Sequence, residues 1–222
     1  MSKRNLSKEK IIQSFLMASF EKSAGATSLS DIADYLEVKK ASLYNHFENK
    51  EQIYDESISY CKSEIESVSF IADKVFDSIK NTKISVINMF KKLILRYFEL
   101  FELEPAFQVY IFLHTEQYYN LKAYEIINSH YEQLTEEIRK ILTAFISEGK
   151  LSDRSQKEIK DMASYISSII LHQLDSCIAN RKETVRQNPE SGAGSLFELP
   201  SDTVAVDKTI KLIESYFKAV SL

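Results

Sequence analysis

Between Thr27 and Lys50 the chain sets hydrogen-bonding side chains around a thin apolar frame. Behind Ser28, which can cap a helix, Leu29, Ile32, Ala33 and Leu36 follow helical spacing, and Glu37-Val38 make a turn. A second helix, roughly Lys40 to Phe47, then buries Leu43 and Phe47. That leaves Lys40, Ala41, Ser42, Tyr44, Asn45 and His46 on or near its outer face. A cation, hydroxyls, an amide and an imidazole are the groups that grip phosphates and read base edges. Two short helices around a tight turn with this chemistry predict a helix-turn-helix that binds DNA.

A helix in the major groove presents about four side chains to base edges while its flanks hold phosphates. Lys40, Ala41, Tyr44 and Asn45 are placed to read bases: Lys faces guanine acceptors, Ala a thymine methyl and Asn an adenine edge. Thr27, Ser28, Lys39, Ser42, His46 and Lys50 are placed for phosphates, and Lys50 also stands at a helix start, where backbone N–H groups point outward. Each has a competing structural role. Tyr44 could pack on the first helix, His46 could hydrogen-bond a neighbouring turn, and Lys39 and Lys40 could be plain solvated charges.

The order Thr27-Ser28, Ile32-Ala33, Val38, Ser42-Leu43-Tyr44, His46-Phe47, Asn49-Lys50-Glu51 resembles the TetR (tetracycline-repressor) family of bacterial transcription regulators. The resemblance covers about the first quarter of the chain. Two positions depart from the family pattern. The turn has Glu37 where the family usually has glycine, so either Glu37 sits strained or the turn is altered. Lys39 replaces a small hydroxyl residue and leaves the recognition helix without a side-chain cap. The link from Phe20 to Thr27 is also one residue shorter than usual.

Composition agrees with a helical protein. With 222 residues, 44% of them apolar, the chain can hold one large or two small domains, and four glycines and three prolines argue for helix almost throughout. The net charge of −4 divides unevenly, with eight Lys/Arg against six Asp/Glu in residues 1–50 and 20 against 26 in the rest. The basic excess therefore lies with the helix-turn-helix, and an acidic body keeps non-specific DNA binding weak. Met1 to Lys10 lacks the apolar core of a signal peptide and no apolar run approaches a membrane span, so a cytoplasmic location is expected. Cys61 and Cys177, each within a helical pattern, fit reduced buried thiols.

The elements that must position the motif follow from periodicity. Ser7 caps a first helix running to Lys22, with Ile11, Ile12, Phe15, Leu16, Ala18 and Phe20 as its apolar face. Asn49 caps another, with Gln52 reaching back in capping-box fashion, through Ile53, Tyr54, Ile58, Cys61 and Ile65. Further stripes run from Ile84 to Phe101, from Pro105 to His114, and from Leu121 to Phe145 with Gly149 as the stop. A long helix is expected over 152–181, a loop over 182–203 containing Asn-Pro-Glu-Ser-Gly-Ala-Gly-Ser, and a last helix carrying Ile210, Ile213 and Phe217. The Gly-Ala-Gly-Ser stretch lacks the Lys-Ser/Thr ending and preceding strand of a nucleotide loop.

The fold class is thus all-α: a three-helix DNA-binding domain in residues 1–50, a connector over about 50–69, and a helical ligand-binding and dimerisation domain in 51–222. The resemblance implies a homodimer held by a four-helix interface, and DNA half-sites need two reading heads. Ile159, Met162, Ala163, Ile166, Ile170, Leu174 and Ile178 with Ile210, Ile213 and Phe217 are its candidates; the alternative is that both stripes face their own core. Aromatic residues concentrated in 90–131 suit a pocket for a small, largely apolar effector, with Phe90, Tyr97, Phe101, Tyr110, His114, Gln117, Tyr131 and Gln173 as candidate ligands. The resemblance also implies the mechanism, in which the ligand shifts the connector helix and the two heads lose the spacing of a pseudo-palindromic operator. His114 with Glu116, or His172 with Asp175, could suggest acid–base pairs, but no metal spacing or nucleophile motif accompanies them. No catalysis, cofactor, metal or membrane contact is expected. The competing class is a helical adaptor that binds a protein partner through its aromatic surface.

Overall fold

The computed structural model describes residues 6–188 and 199–220. The segment 189–198, which holds most of the glycine- and proline-rich stretch expected to be a loop, lies outside the described residues. Among the described residues every regular element is helical: α1 (Lys8–Lys22), α2 (Leu29–Tyr35), a 3₁₀ helix (Lys40–Asn45), α3 (Lys50–Ser67), α4 (Val75–Asn81), α5 (Val86–Glu102), α6 (Ala106–Glu116), α7 (Leu121–Ser147), α8 (Gln156–Gln187) and α9 (Thr203–Val220). None of these helices is long and apolar enough to cross a membrane.

The described residues form two compact units. One draws on Met1–Ser67 and Glu104–Asn128, the other on Val68–Leu103 and Ser129–Leu222. In the first unit, α1 packs on α2, α3 and α6, and α3 packs on α6. The seam is aromatic. Phe15 of α1 meets Phe112 of α6 edge-on at 5.9 Å and Tyr54 of α3 at 6.3 Å, while Phe20 and Phe107 repeat the α1–α6 contact at 5.8 Å. Such pairs add about 0.5–1.5 kcal/mol each beyond the area they bury.

In the second unit α5, α8 and α9 pack together. The apolar stripes of α8 and α9 supply this core, and here the dimer expectation is corrected. Ile159, Met162, Ala163, Ile166, Ile170, Leu174, Ile178, Ile210, Ile213 and Phe217 are all buried within the single chain, none more than 8% exposed. Phe90 of α5 lies against Phe217 at 6.4 Å, so the stripes cover the apolar face of α5 and leave nothing there for a second chain. Glu137 of α7 pins the segment after α3, accepting from the Phe70 N–H at 2.7 Å and the Ser69 hydroxyl at 2.8 Å. Arg96 donates to the Ser69 carbonyl beside it.

Boundaries follow caps. The Ser7 hydroxyl accepts from the Lys10 N–H, and α8 starts at Gln156, later than expected, because Ser155 and Glu158 form a reciprocal capping box. The helix also runs past Arg181 to Gln187, through residues expected to be loop. Glu183 holds Arg186 at 2.7 Å and Gln187 at 2.7 Å across that last turn, and no breaker precedes Pro189. The helix α4 was not expected from the apolar spacing. Gly149 takes φ +64°, the left-handed conformation that ends α7.

Glu37 does occupy the position where glycine is usual, with φ +55°. A side chain there costs on the order of 1–3 kcal/mol. Replacing Glu37 with Gly is therefore expected to raise stability by about 1 kcal/mol, read as a higher urea midpoint. An unchanged or lower midpoint would mean that the Glu37 side chain recovers the backbone cost.

Candidate nucleic-acid interface

The motif is built from its caps inward. Ser28 starts α2 with a full capping box: its hydroxyl accepts from the Asp31 N–H at 3.3 Å and its own N–H donates to Asp31 at 2.7 Å. Lys22 at the end of α1 reaches the same carboxylate at 2.6 Å. Sequence reasoning identified the Ser28 cap and missed Asp31, although a hydroxyl followed three residues later by an acid is the signature. Together they fix the angle at which α2 leaves α1.

The turn closes through Val38 N–H to the Ala33 carbonyl at 3.0 Å and Glu37 N–H to Asp34 at 3.1 Å. Lys39 follows with extended backbone and no side-chain cap, as its residue type predicts. The next element is 3₁₀ where an α-helix from Lys40 to Phe47 was expected. Ser42 N–H bonds the Lys39 carbonyl at 2.8 Å, and Leu43 receives both His46 at 3.0 Å and Phe47 at 3.1 Å. Leu43 and Phe47 are buried, as the spacing required. Lys8 lies over the Phe47 ring at 5.0 Å and pairs with Glu56 of α3 at 2.8 Å.

The proposed base readers Lys40, Ala41, Tyr44 and Asn45 are all exposed, and they are adjacent on one short element. Tyr44 is 52% exposed, so it does not spend its ring on α1. Of the phosphate candidates, Ser28 and Lys39 are exposed, while Ser42, His46 and Lys50 are half-buried. The Lys50 ammonium donates to the Gly25 carbonyl at 3.0 Å. Thr27 is corrected. It is 1% exposed, its hydroxyl donates to the Ser23 carbonyl at 2.8 Å, and its N–H is bonded to the same turn, so it braces the α1–α2 link.

Asn49 accepts from the Gln52 N–H at 2.8 Å, as a cap should. The Gln52 side chain, however, accepts from Glu48 rather than from Asn49, one residue short of a reciprocal box. One turn further, Tyr54 donates to the buried carboxylate of Glu116 at 2.8 Å. Burial, with Glu116 second, holds the Tyr54 phenol protonated far above its ordinary range. This bond ties α3 to α6, and no sequence pattern signals it. A cleft of about 490 Å³ opens beside it, lined by Lys50, Glu51, Asp55 and the Tyr54–Glu116 pair among others.

The eight effector-site candidates do not form one cluster within a unit. Phe90, Tyr97, Phe101, Tyr131 and Gln173 belong to the second unit, and Tyr110, His114 and Gln117 to the first. In the second unit Tyr97 and Phe101 meet edge-on at 5.1 Å, and the Tyr97 hydroxyl bonds His130 at 2.6 Å. Phe70 joins Phe90 to Tyr97, at 6.3 Å and 5.3 Å. In the first unit Tyr110 stacks on His114 at 3.9 Å, and Gln117 donates to the His114 carbonyl. Cys61 and Cys177 are free and buried; burial drives the Cys61 thiol far above its ordinary range and Cys177 up to about 12.

Residues 17–56 match the family model described as bacterial regulatory proteins, tetR family. The biofilm operon icaADBC HTH-type negative transcriptional regulator IcaR of Staphylococcus epidermidis is 44% identical over 54 residues, 24% of this chain and 29% of that protein. The match thus spans less than a third of the relative's length. Among solved structures, one assigned to the TetR family from Mesorhizobium loti superposes with a TM-score of 0.59 at 15% identity, covering 96% of this chain and 95% of the other. FadR from Bacillus subtilis, in complex with stearoyl-CoA, gives a TM-score of 0.54 at 17% identity over 93% of this chain and 97% of its own. At such identities these two show a shared fold.

Asp31 offers a direct check on the motif's frame. Its carboxyl is pushed from an ordinary 3.8 down to about 2, first by the Lys22 hydrogen bond and then by Ser28. A depressed acid stabilises the fold above its ordinary value, and the contribution is lost as pH falls from 3.8 toward about 2. NMR titration of the Asp31 carboxyl is expected to show that low midpoint and to return toward 3.8 in Lys22→Ala. A midpoint already at 3.8 in the parent protein would contradict the cap.

Proposed function

We propose, from the match of residues 17–56 to the tetR-family model, that the chain is a TetR-family regulator, a homodimeric repressor released from a pseudo-palindromic operator by a small, largely apolar effector. Its coarse role is that of a non-enzymatic DNA-binding transcriptional regulator. The observation that carries the proposal is the exposure of Lys40, Ala41, Tyr44 and Asn45 on one short element that buried Leu43, with Phe47 just beyond it, anchors to the domain. Repression is supported by the likeness of this domain to that of IcaR, a negative regulator.

A dimer on α8 and α9 must use their outer faces, since the inner stripes are spent. Tyr165 is 62% and Leu212 42% exposed, and the Tyr165 ring stacks flat on Tyr216 at 5.2 Å, making an apolar outer patch. The effector is assigned to the buried aromatic cluster of Phe90, Tyr97 and Phe101 around the Tyr97–His130 bond, and its entry requires these packed rings to part. Release requires only that the effector bind better to the dimer with the wrong head spacing; DNA and effector then weaken each other equally.

Fluorescence anisotropy with DNA from upstream of the protein's own gene tests the DNA role. Saturable binding about 10³-fold or more tighter than to random duplex is expected, and Lys40→Ala/Tyr44→Ala should abolish that margin. Weak, salt-sensitive binding unchanged by the double substitution would contradict it. Sedimentation tests the dimer: Tyr165→Asp/Leu212→Asp should give monomers and lose operator binding, whereas an intact dimer would exclude this face.

A further inference from the structure

The 3₁₀ helix Lys40–Asn45 is six residues long, longer than the three or four at which such helices usually stop. Its winding changes which side chains share a face. At three residues per turn, positions i and i+3 eclipse, whereas the 100° step of an α-helix gathers 40, 41, 44 and 45 into one broad outer face. Here the six residues stand instead in three columns: Lys40 with Leu43, Ala41 with Tyr44, and Ser42 with Asn45.

Burial labels each column. Leu43 is 1% exposed, so the first column is the one turned to the domain interior. Ala41 and Tyr44 are both exposed, which makes theirs the outermost column, and half-buried Ser42 with exposed Asn45 forms its flank. Lys40 is exposed because it opens the element, yet it leaves the backbone on the azimuth of Leu43. Lys39, exposed and making no side-chain cap, comes directly before it, so two cations stand together at the start of the element.

Resting on the DNA-binding role put forward above, we propose that the Ala41–Tyr44 column with Asn45 at its flank sets the sequence specificity, and that Lys40 holds a phosphate and reads no base. The side-chain chemistry agrees with the geometry. The Ala41 methyl and the Tyr44 ring offer apolar contact of the kind a thymine methyl accepts, and Asn45 can pair with an adenine edge. Lysine is a compact charge on a flexible four-carbon stem, suited to a phosphate oxygen and poorly suited to planar two-point recognition. This departs from the sequence-based expectation that Lys40 reads guanine.

Selection from a randomised duplex pool, with the full-length protein and its variants, tests the assignment. Ala41→Ser and Tyr44→Ala are expected to change the preferred base at one half-site position, by about tenfold in relative enrichment. Tyr44→Phe separates the ring from the hydroxyl and guards against loss of fold. Lys40→Ala should weaken all selected duplexes by one common factor, leave the base ranking unchanged, and lower the slope of log K against log salt by about 0.9 for each phosphate no longer neutralised. If Lys40→Ala instead relaxes the preference at a single base pair while the Ala41 and Tyr44 variants keep the parent ranking, the assignment is overturned. A parent protein that selects no sequence at all overturns the regulator role itself, and this assignment with it.

Discussion

Phe15, Tyr54 and Phe112 meet in the first unit at 5.9, 6.1 and 6.3 Å, and the reading surface depends on that aromatic seam. The element that carries Lys40 to Asn45 has six residues and one buried side chain of its own, Leu43. A helix that short cannot hold itself together in water. It is held because it packs on α2, α2 packs on α1, and α1 is fixed against α3 with α6 lying across both. The Tyr54–Glu116 bond adds direction to a contact that apolar packing alone would leave free to slide. Leaving Glu116 buried without that donor would cost about 1–3 kcal/mol. The geometry of the reading head is therefore decided in part by residues far along the chain from it.

Electrostatics does little to hold this frame. Among the described residues Lys8–Glu56 and Lys22–Asp31 are the ion pairs around the motif, and both are part-exposed, so solvent screens them. Their value is geometric, since each joins α1 to a neighbouring helix. The cations on the proposed DNA surface are few, Lys39, Lys40 and Lys50, with Glu37, Glu48 and Glu51 among them in the sequence. A surface so balanced gains little non-specific attraction, so affinity for a particular sequence has to come from contacts on the short element.

Much of this was legible in the residues. Ser7 and Ser28 marked helix starts, Gly149 a stop, and Glu37 a turn that prefers glycine, because caps and left-handed positions are chemistry that one or two residues declare. Other features leave no such mark. An apolar stripe says that a face is covered and not by what, which is why the α8 and α9 stripes could be assigned to a partner when they cover α5. A hydroxyl does not declare its direction, so Thr27 could be read as a phosphate ligand when it serves the α1–α2 turn. The pattern over Lys40 to Phe47 fits either winding, and only backbone bonds separate 3₁₀ from α. Glu116 and Phe112 lie in the middle of the chain, and nothing in their spacing announces Tyr54 and Phe15.

The central claim is that this chain meets DNA through the surface between Ser28 and Lys50. Hydrogen exchange measured with and without the upstream duplex tests it most directly, because it maps contact on the unaltered protein. Slowed exchange concentrated in residues 27–50, with the exposed turn at Tyr118 and Tyr119 unchanged, is the predicted result. A complex that forms while 27–50 exchanges at its free rate would contradict the account.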